Sequence, residues 1–141
     1  MVLDTSVLVA GLRSRRGASF RLLQLLREGR FEIAVSVPLV LEYEAVLMRH
    51  AAELAVRPEE VVGIVNYVCQ VAHRQDIHFL WRPTLRDPED EFVLELAVAA
   101  GCQAIVTHNL RHFQGAKGLG VQVLTPGDFL VSVEELEEED T

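Results

Sequence analysis

Long apolar runs are missing from this sequence. No stretch reaches the roughly 18 uncharged apolar residues that a membrane-crossing helix needs, although half of the 141 residues are hydrophobic. A basic leader followed by an apolar segment and a cleavage site is also missing, which argues against secretion by that route and for a cytoplasmic location. Cysteine is scarce. Cys69 and Cys102 form no CxxC pair and sit among apolar residues, so two buried thiols are expected rather than a disulfide. Positive charge is in deficit, with a formal net charge of −8. That balance disfavours a general polyanion binder working through counterion release. Six of the acids, Glu134, Glu135, Glu137, Glu138, Glu139 and Asp140, lie at the end of the chain, and setting them aside leaves −2. The basic residues Arg13, Arg15, Arg16 and Arg21 cluster near the start.

Several phosphate-handling motifs are absent too. There is no GxxxxGK[ST] loop and no GxGxxG after the first apolar segment, which excludes the common nucleotide and dinucleotide fingerprints. An aspartyl-phosphate mechanism of the haloacid-dehalogenase type wants a second aspartate two residues after Asp4, where Ser6 stands. His50, His73, His78, His108 and His112 show no zinc-ligand spacing, so surface or structural roles are expected for them.

What is present alternates between two periods. Met1 to Leu8 reads as a buried strand interrupted by Asp4, and Gly11 to Gly17 as a basic loop. A helical stripe over Ala18–Arg27 ends at Gly29. Phe31–Ser36 reads as a second strand, and Ser36 with Pro38 opens a helix to about Leu54. Pro58 opens another helix to about Arg74. Ile77–Trp81 reads as a strand, Asp87-Pro88 starts a helix that Gly101 stops, and Ala104–Thr107 and Val121–Leu124 complete the strands. This alternation predicts one α/β domain over residues 1–130, a three-layer α/β/α sandwich with a mainly parallel central sheet. Residues 131–141 form an acidic tail, expected as a frayed helix or disordered.

The carboxylates carry the chemical signal. Asp4, in an aliphatic run, is costly to desolvate unless something compensates it, and ligands of open α/β sheets sit outside the strands' carboxyl ends. On the helix after the second strand, Glu42 and Glu44 flank opposite edges of the Leu39/Tyr43/Val46 stripe, and periodicity does not choose between them. Asp90 is in phase with the Val93/Leu96/Ala97/Ala100 stripe, whereas Glu91 and Glu95 are expected to face water. Asp87 and Asp90 also fit a capping arrangement around Pro88, which would explain both without chemistry. Thr107 and Asn109, at another strand's carboxyl end, offer neutral oxygens or simply shape the turn. An oxygen-only donor set of this kind suits magnesium or manganese.

Four segments together resemble the PIN-domain nucleases, and among them the compact VapC-like toxins of toxin–antitoxin pairs. They are Val2-Leu3-Asp4-Thr5-Ser6-Val7-Leu8, Ser36-Val37-Pro38-Leu39-Val40-Leu41-Glu42-Tyr43, Asp87 through Ala97, and Ile105-Val106-Thr107-His108-Asn109. The resemblance implies Asp4, Glu42 and Asp90 as catalytic, metal-binding acids for Mg2+ or Mn2+. Ser6, Thr107 and Asn109 would be supporting polar groups, with Asn109 standing where aspartate is commoner. It implies metal-dependent hydrolysis of an RNA phosphodiester bond, a small antitoxin protein as partner, and a homodimer. Arg13, Arg15 and Arg16 are expected to hold the RNA backbone. The amide at position 109 removes one negative charge, so a catalytically silent PIN-fold module binding RNA or a protein is the alternative. Apolar residues on the Pro38–Leu54 and Pro58–Arg74 helices are in keeping with a dimer.

Overall fold

The computed structural model describes residues 1–76 and 88–139. The elements run β1 (Val2–Leu3), α1 (Thr5–Arg13), α2 (Ala18–Arg27), β2 (Ala34–Val35), α3 (Val37–Arg49), α4 (Pro58–Val71), β3 (His73–Arg74), α5 (Pro88–Ala99), β4 (Ala104–Val106), β5 (Gln122–Leu124) and α6 (Pro126–Glu139). Two short 3-10 helices, Leu110–Phe113 and Ala116–Leu119, lie between β4 and β5.

The pairing is parallel throughout the described strands. β1 pairs with β4 in the register Val2↔Ile105 and Leu3↔Val106, and β4 pairs with β5. β2 pairs with β3. The two sets meet where Ala34 N–H donates to the Met1 carbonyl at 2.8 Å, giving the spatial order β3-β2-β1-β4-β5. Helix α5 packs on β1, β2 and β4, while α1, α2 and α6 pack in sequence against one another and α3 pairs with α4. The fold is therefore α/β, with helices sandwiching a mainly parallel sheet.

Parallel strands with both faces covered should be wholly apolar. Val2, Leu3, Ile105 and Val106 are each completely buried. They join Leu22, Leu25, Ile33, Leu39, Tyr43, Leu94, Leu96 and Phe113 in the main core. A second cluster of Leu47, Ala51, Leu54, Val61 and Val65 seals α3 against α4. The rings of Phe31 and Phe129, 5.1 Å apart and edge to face, pin α6 beside the β2 segment.

Several boundaries differ from the sequence reading. The opening strand is only two residues long, and the helix α1 replaces both its second half and the front of the expected basic loop. A run such as Val7-Leu8-Val9 satisfies either period when both faces are covered, and the buried positions Val7, Leu8 and Gly11 turn out to follow the helical one. Gly11 allows α1 and α2 to touch. A Cβ there would meet Leu23 Cδ1 at 2.5 Å and the Ser19 carbonyl at 3.3 Å. Helix α3 stops at Arg49, short of Leu54, and the turn after it contains Ala55 at φ 55. Helix α4 stops at Val71 because His73 N–H and Gln75 N–H are taken by the carbonyls of Ile33 and Val35. The most instructive difference is on α5. Glu91 and Glu95, expected in water, are 9% and 8% exposed, because α5 is covered on nearly every side. Helix α6 continues through the acidic stretch to Glu139. The expected strand Ile77–Trp81 and the expected cap Asp87 lie outside the described residues.

Candidate functional site

The β1–β4 register sets up the site. Continued by one residue, it brings Asp4 beside Thr107, and Asp4 N–H donates to the Val106 carbonyl at 2.9 Å. Asp4 is the N-cap residue of α1 but makes no capping bond with its side chain. Its Oδ2 instead accepts from Ser6 Oγ at 2.8 Å and from Thr107 Oγ1 at 2.7 Å. At 7% exposure the carboxylate is nearly desolvated, and these charge-assisted bonds are what offset that cost. Thr107 is fully buried and also accepts from Asn109 N–H at 2.9 Å. Ser6 accepts from His108 N–H at 3.1 Å. The two hydroxyls thus lock the ends of β1 and β4 together around one acid.

Glu42 arrives from α3. Ser36 caps this helix by accepting from Leu39 N–H at 3.4 Å, with Pro38 in the first turn. Glu42 Oε2 accepts from Thr5 Oγ1 at 2.8 Å, whereas Glu44 is exposed. Of the two glutamates that periodicity left open, Glu42 lies in the lining of the site's cavity and Glu44 does not. Beside them Tyr43 is buried and donates to the Leu3 carbonyl. Burial pushes its phenol well above the usual range, and the negative charges of Asp4 and Glu42 add to the effect, so Tyr43 stays a neutral donor. Asp90 comes from the first turn of α5 and is 9% exposed, with Oδ2 at 3.4 Å from His112 Nδ1.

These three acids line one open cavity of about 370 Å³, together with Thr5, Ser6, Val9, Ala10, Arg13, Val46, His108, Asn109 and His112. Thr5, Ser6, Val9, Ala10 and Arg13 share a face of α1. Only the helical spacing of α1 brings these five residues together. Thr107 supports the cavity from beneath through Asp4. Arg13 lies at its edge and pairs with Glu53 at 3.5 Å, while Arg15 and Arg16 are exposed and outside the lining. His108 and His112, expected in surface or structural roles, are exposed and also line the cavity. The signal available in the sequence was their i, i+4 spacing immediately after a strand's carboxyl end.

A divalent cation fits this donor set in a particular way. The donors are mainly carboxylates, hydroxyls and an amide, with the imidazoles of His108 and His112 beside them and no thiol, a predominantly oxygen set that suits a hard cation. Among the described residues, no three His, Cys, Asp or Glu side chains are gathered into a ready-made cage. Magnesium commonly takes one or two carboxylates and fills its remaining positions with water, and a cavity open to solvent allows that. The residues therefore fit a loosely held, water-rich ion rather than a structural metal.

No described helix is long and apolar enough to cross a membrane. No curated protein matches the chain. A family model described as PIN domain matches residues 1–111, a span that includes Asp4, Glu42, Asp90, Thr107 and Asn109. The chain belongs to the PIN-domain family, whose members are generally nucleases.

Proposed function

We propose that this protein is a Mg2+- or Mn2+-dependent endoribonuclease, the toxin of a toxin–antitoxin pair, acting in the cytoplasm. The observation that carries the nuclease reading is the convergence of Asp4, Glu42 and Asp90, from three separate elements, on one solvent-open cavity. The resemblance of the four segments to VapC-like toxins supports the choice of RNA as substrate, a small antitoxin as inhibitor and a homodimer as the working form.

Asp4, Glu42 and Asp90 are the acids that would hold the cation, and Asn109 adds a neutral oxygen. The cation, when bound, supplies Lewis-acid activation of water and charge neutralisation at the phosphate. The protein's own part is positioning. Ser6 and Thr107 hold one oxygen of Asp4 and so direct the carboxylate. Thr5 does the same for Glu42. Arg13, on the cavity lining and paired with Glu53 at 3.5 Å, would turn to a backbone phosphate of the bound strand. One feature, the amide at position 109, favours a second reading. In it the domain is a catalytically silent module that binds RNA or a protein.

The test is incubation of the protein with structured RNA and manganese, with and without EDTA, beside Asp4→Asn. Cleavage that requires both the metal and Asp4 supports the enzyme. If no RNA is cut and calorimetry detects no divalent-ion binding, the silent module is the correct reading.

A further inference from the structure

Ser19 is an odd residue to find where it is. It is the second residue of α2 and 2% exposed, a place that alanine would fill without needing a hydrogen-bond partner. Its hydroxyl is hydrogen-bonded to His108 Nε2 at 2.7 Å, across 89 residues of chain. His108, by contrast, is exposed and lines the cavity, with its backbone already fixed to Ser6. Ordering an exposed side chain costs rotamer entropy, and a hydrogen bond that water could replace returns little net stability. The pair makes poor sense as a stabilising contact and good sense as preorganisation of a ring at the cavity wall.

The approach is built into the helices. Gly11 lets α2 come so close to α1 that any side chain there would strike Leu23 and crowd the Ser19 carbonyl. This close packing is what brings Ser19 within reach of the loop after β4.

We propose that His108 is a substrate-binding residue whose Nδ1 contacts a phosphate oxygen of the bound strand, and that Ser19 is the positioning residue that holds the ring for it. With Nε2 committed to Ser19, Nδ1 is the polar ring atom left for a ligand. When the serine hydroxyl donates to Nε2, Nδ1 carries the hydrogen and donates to the phosphate. His108 and Arg13 both line the cavity, and the bound strand runs along it in reach of both. This assignment rests on the nuclease reading and extends it from the acids to the substrate.

Amide substitutions separate the two ring nitrogens. Asparagine places an amide nitrogen near the position of Nδ1, and glutamine places one near Nε2. The measurements are fluorescence anisotropy of a labelled single-stranded oligoribonucleotide in EDTA, where nothing is cut, and KM and kcat for cleavage in manganese. Thermal midpoints establish that each variant is folded. Loss of a hydrogen bond to a charged phosphate predicts about tenfold weaker binding for His108→Ala, seen in KM more than in kcat. His108→Asn recovers most of that loss and His108→Gln does not. Ser19→Ala weakens binding severalfold in the wild-type background and changes nothing when His108 is already alanine. Binding unchanged in His108→Ala, better rescue by glutamine than by asparagine, or additive losses in the double variant would each overturn the assignment, as would wild-type protein that binds no oligoribonucleotide. If His108→Ala fails to fold, the Ser19→Ala and His108→Asn arms decide alone. Wild-type protein that shows the binding pattern but never cleaves refutes the nuclease reading and leaves the His108 contact standing.

Discussion

Thr107→Val is the sharpest probe of how Asp4 is tolerated. Valine has nearly the shape of threonine, so the fully buried site gains no cavity, and only the hydroxyl is lost. That hydroxyl makes two short bonds, a donation to Asp4 Oδ2 at 2.7 Å and an acceptance from Asn109 N–H at 2.9 Å, beside a longer contact with Ser6 Oγ at 3.4 Å. A hydrogen bond to a charged group contributes about 1.5–3 kcal/mol. Asn109 is exposed, so water can replace the second bond at a cost of about 0.5 kcal/mol. The expected loss is about 2–3 kcal/mol, which for a domain of this size lowers the thermal midpoint by roughly 10 °C. Thr107→Ser keeps the hydroxyl and loses a methyl group, costing about 1 kcal/mol. In an Asp4→Asn background the acceptor is neutral, and Thr107→Val should cost only about 1 kcal/mol. Circular dichroism melts of the four proteins give the cycle, and manganese-dependent RNA cleavage by the two Thr107 variants gives the functional side. Valine is expected to cut activity tenfold to a hundredfold by freeing the Asp4 carboxylate, and serine to leave it largely intact. A valine variant that melts with the wild type would refute the claim that this hydroxyl offsets the burial of Asp4.

Three further outcomes are expected. The carboxyl of Glu95 is pushed above its ordinary value by burial, with Glu91 adding to the shift, and its Oε1 has no hydrogen-bond partner among the described residues. The fold therefore favours the protonated form, and stability falls as pH rises from the ordinary carboxylate range through the raised folded value. Glu95→Gln should be more stable by about 1 kcal/mol at pH 7 and no more stable near pH 4, as urea midpoints at the two pH values will show. Manganese should raise the melting temperature of the wild type, by the equivalent of about 2.7 kcal/mol at a hundred times its dissociation constant, and should not do so for Asp4→Asn. Ser36→Ala removes the cap of α3 and should cost about 1 kcal/mol, measured as a lower urea midpoint at an unchanged slope.

The alternation of strands and helices was legible because both faces of the sheet are covered and the strands read as unbroken aliphatics. The same property hid where β1 ends, since Val7-Leu8-Val9 satisfies a strand or a buried helix equally well. The cost of that ambiguity was a whole wall of the cavity, Val9, Ala10 and Arg13, which only a helix aligns. Glu42 was within reach of periodicity but not separable from Glu44, because both flank the apolar stripe. What separates them is contact with Thr5, a residue 37 positions away. Glu91 and Glu95 were misplaced for the opposite reason. Helical phase finds the polar side of a helix but says nothing about whether other parts of the chain cover that side. The pairing of His108 with Ser19 had no local signal, because it exists only between α2 and the loop after β4.

The pairing of β1 with β4 also has a consequence for when such a cavity can come into being. Asp4 and the hydroxyl that steadies it are 103 residues apart, and β1 has no lateral partner on that side until the segment from Ala104 onward has emerged from the ribosome. A nascent chain holding only the amino-terminal helices has the acid but not its support. Contacts of such long range form slowly. The order of synthesis thus keeps the cavity latent until nearly the whole domain has been translated, and a prematurely terminated chain carries an incomplete cavity.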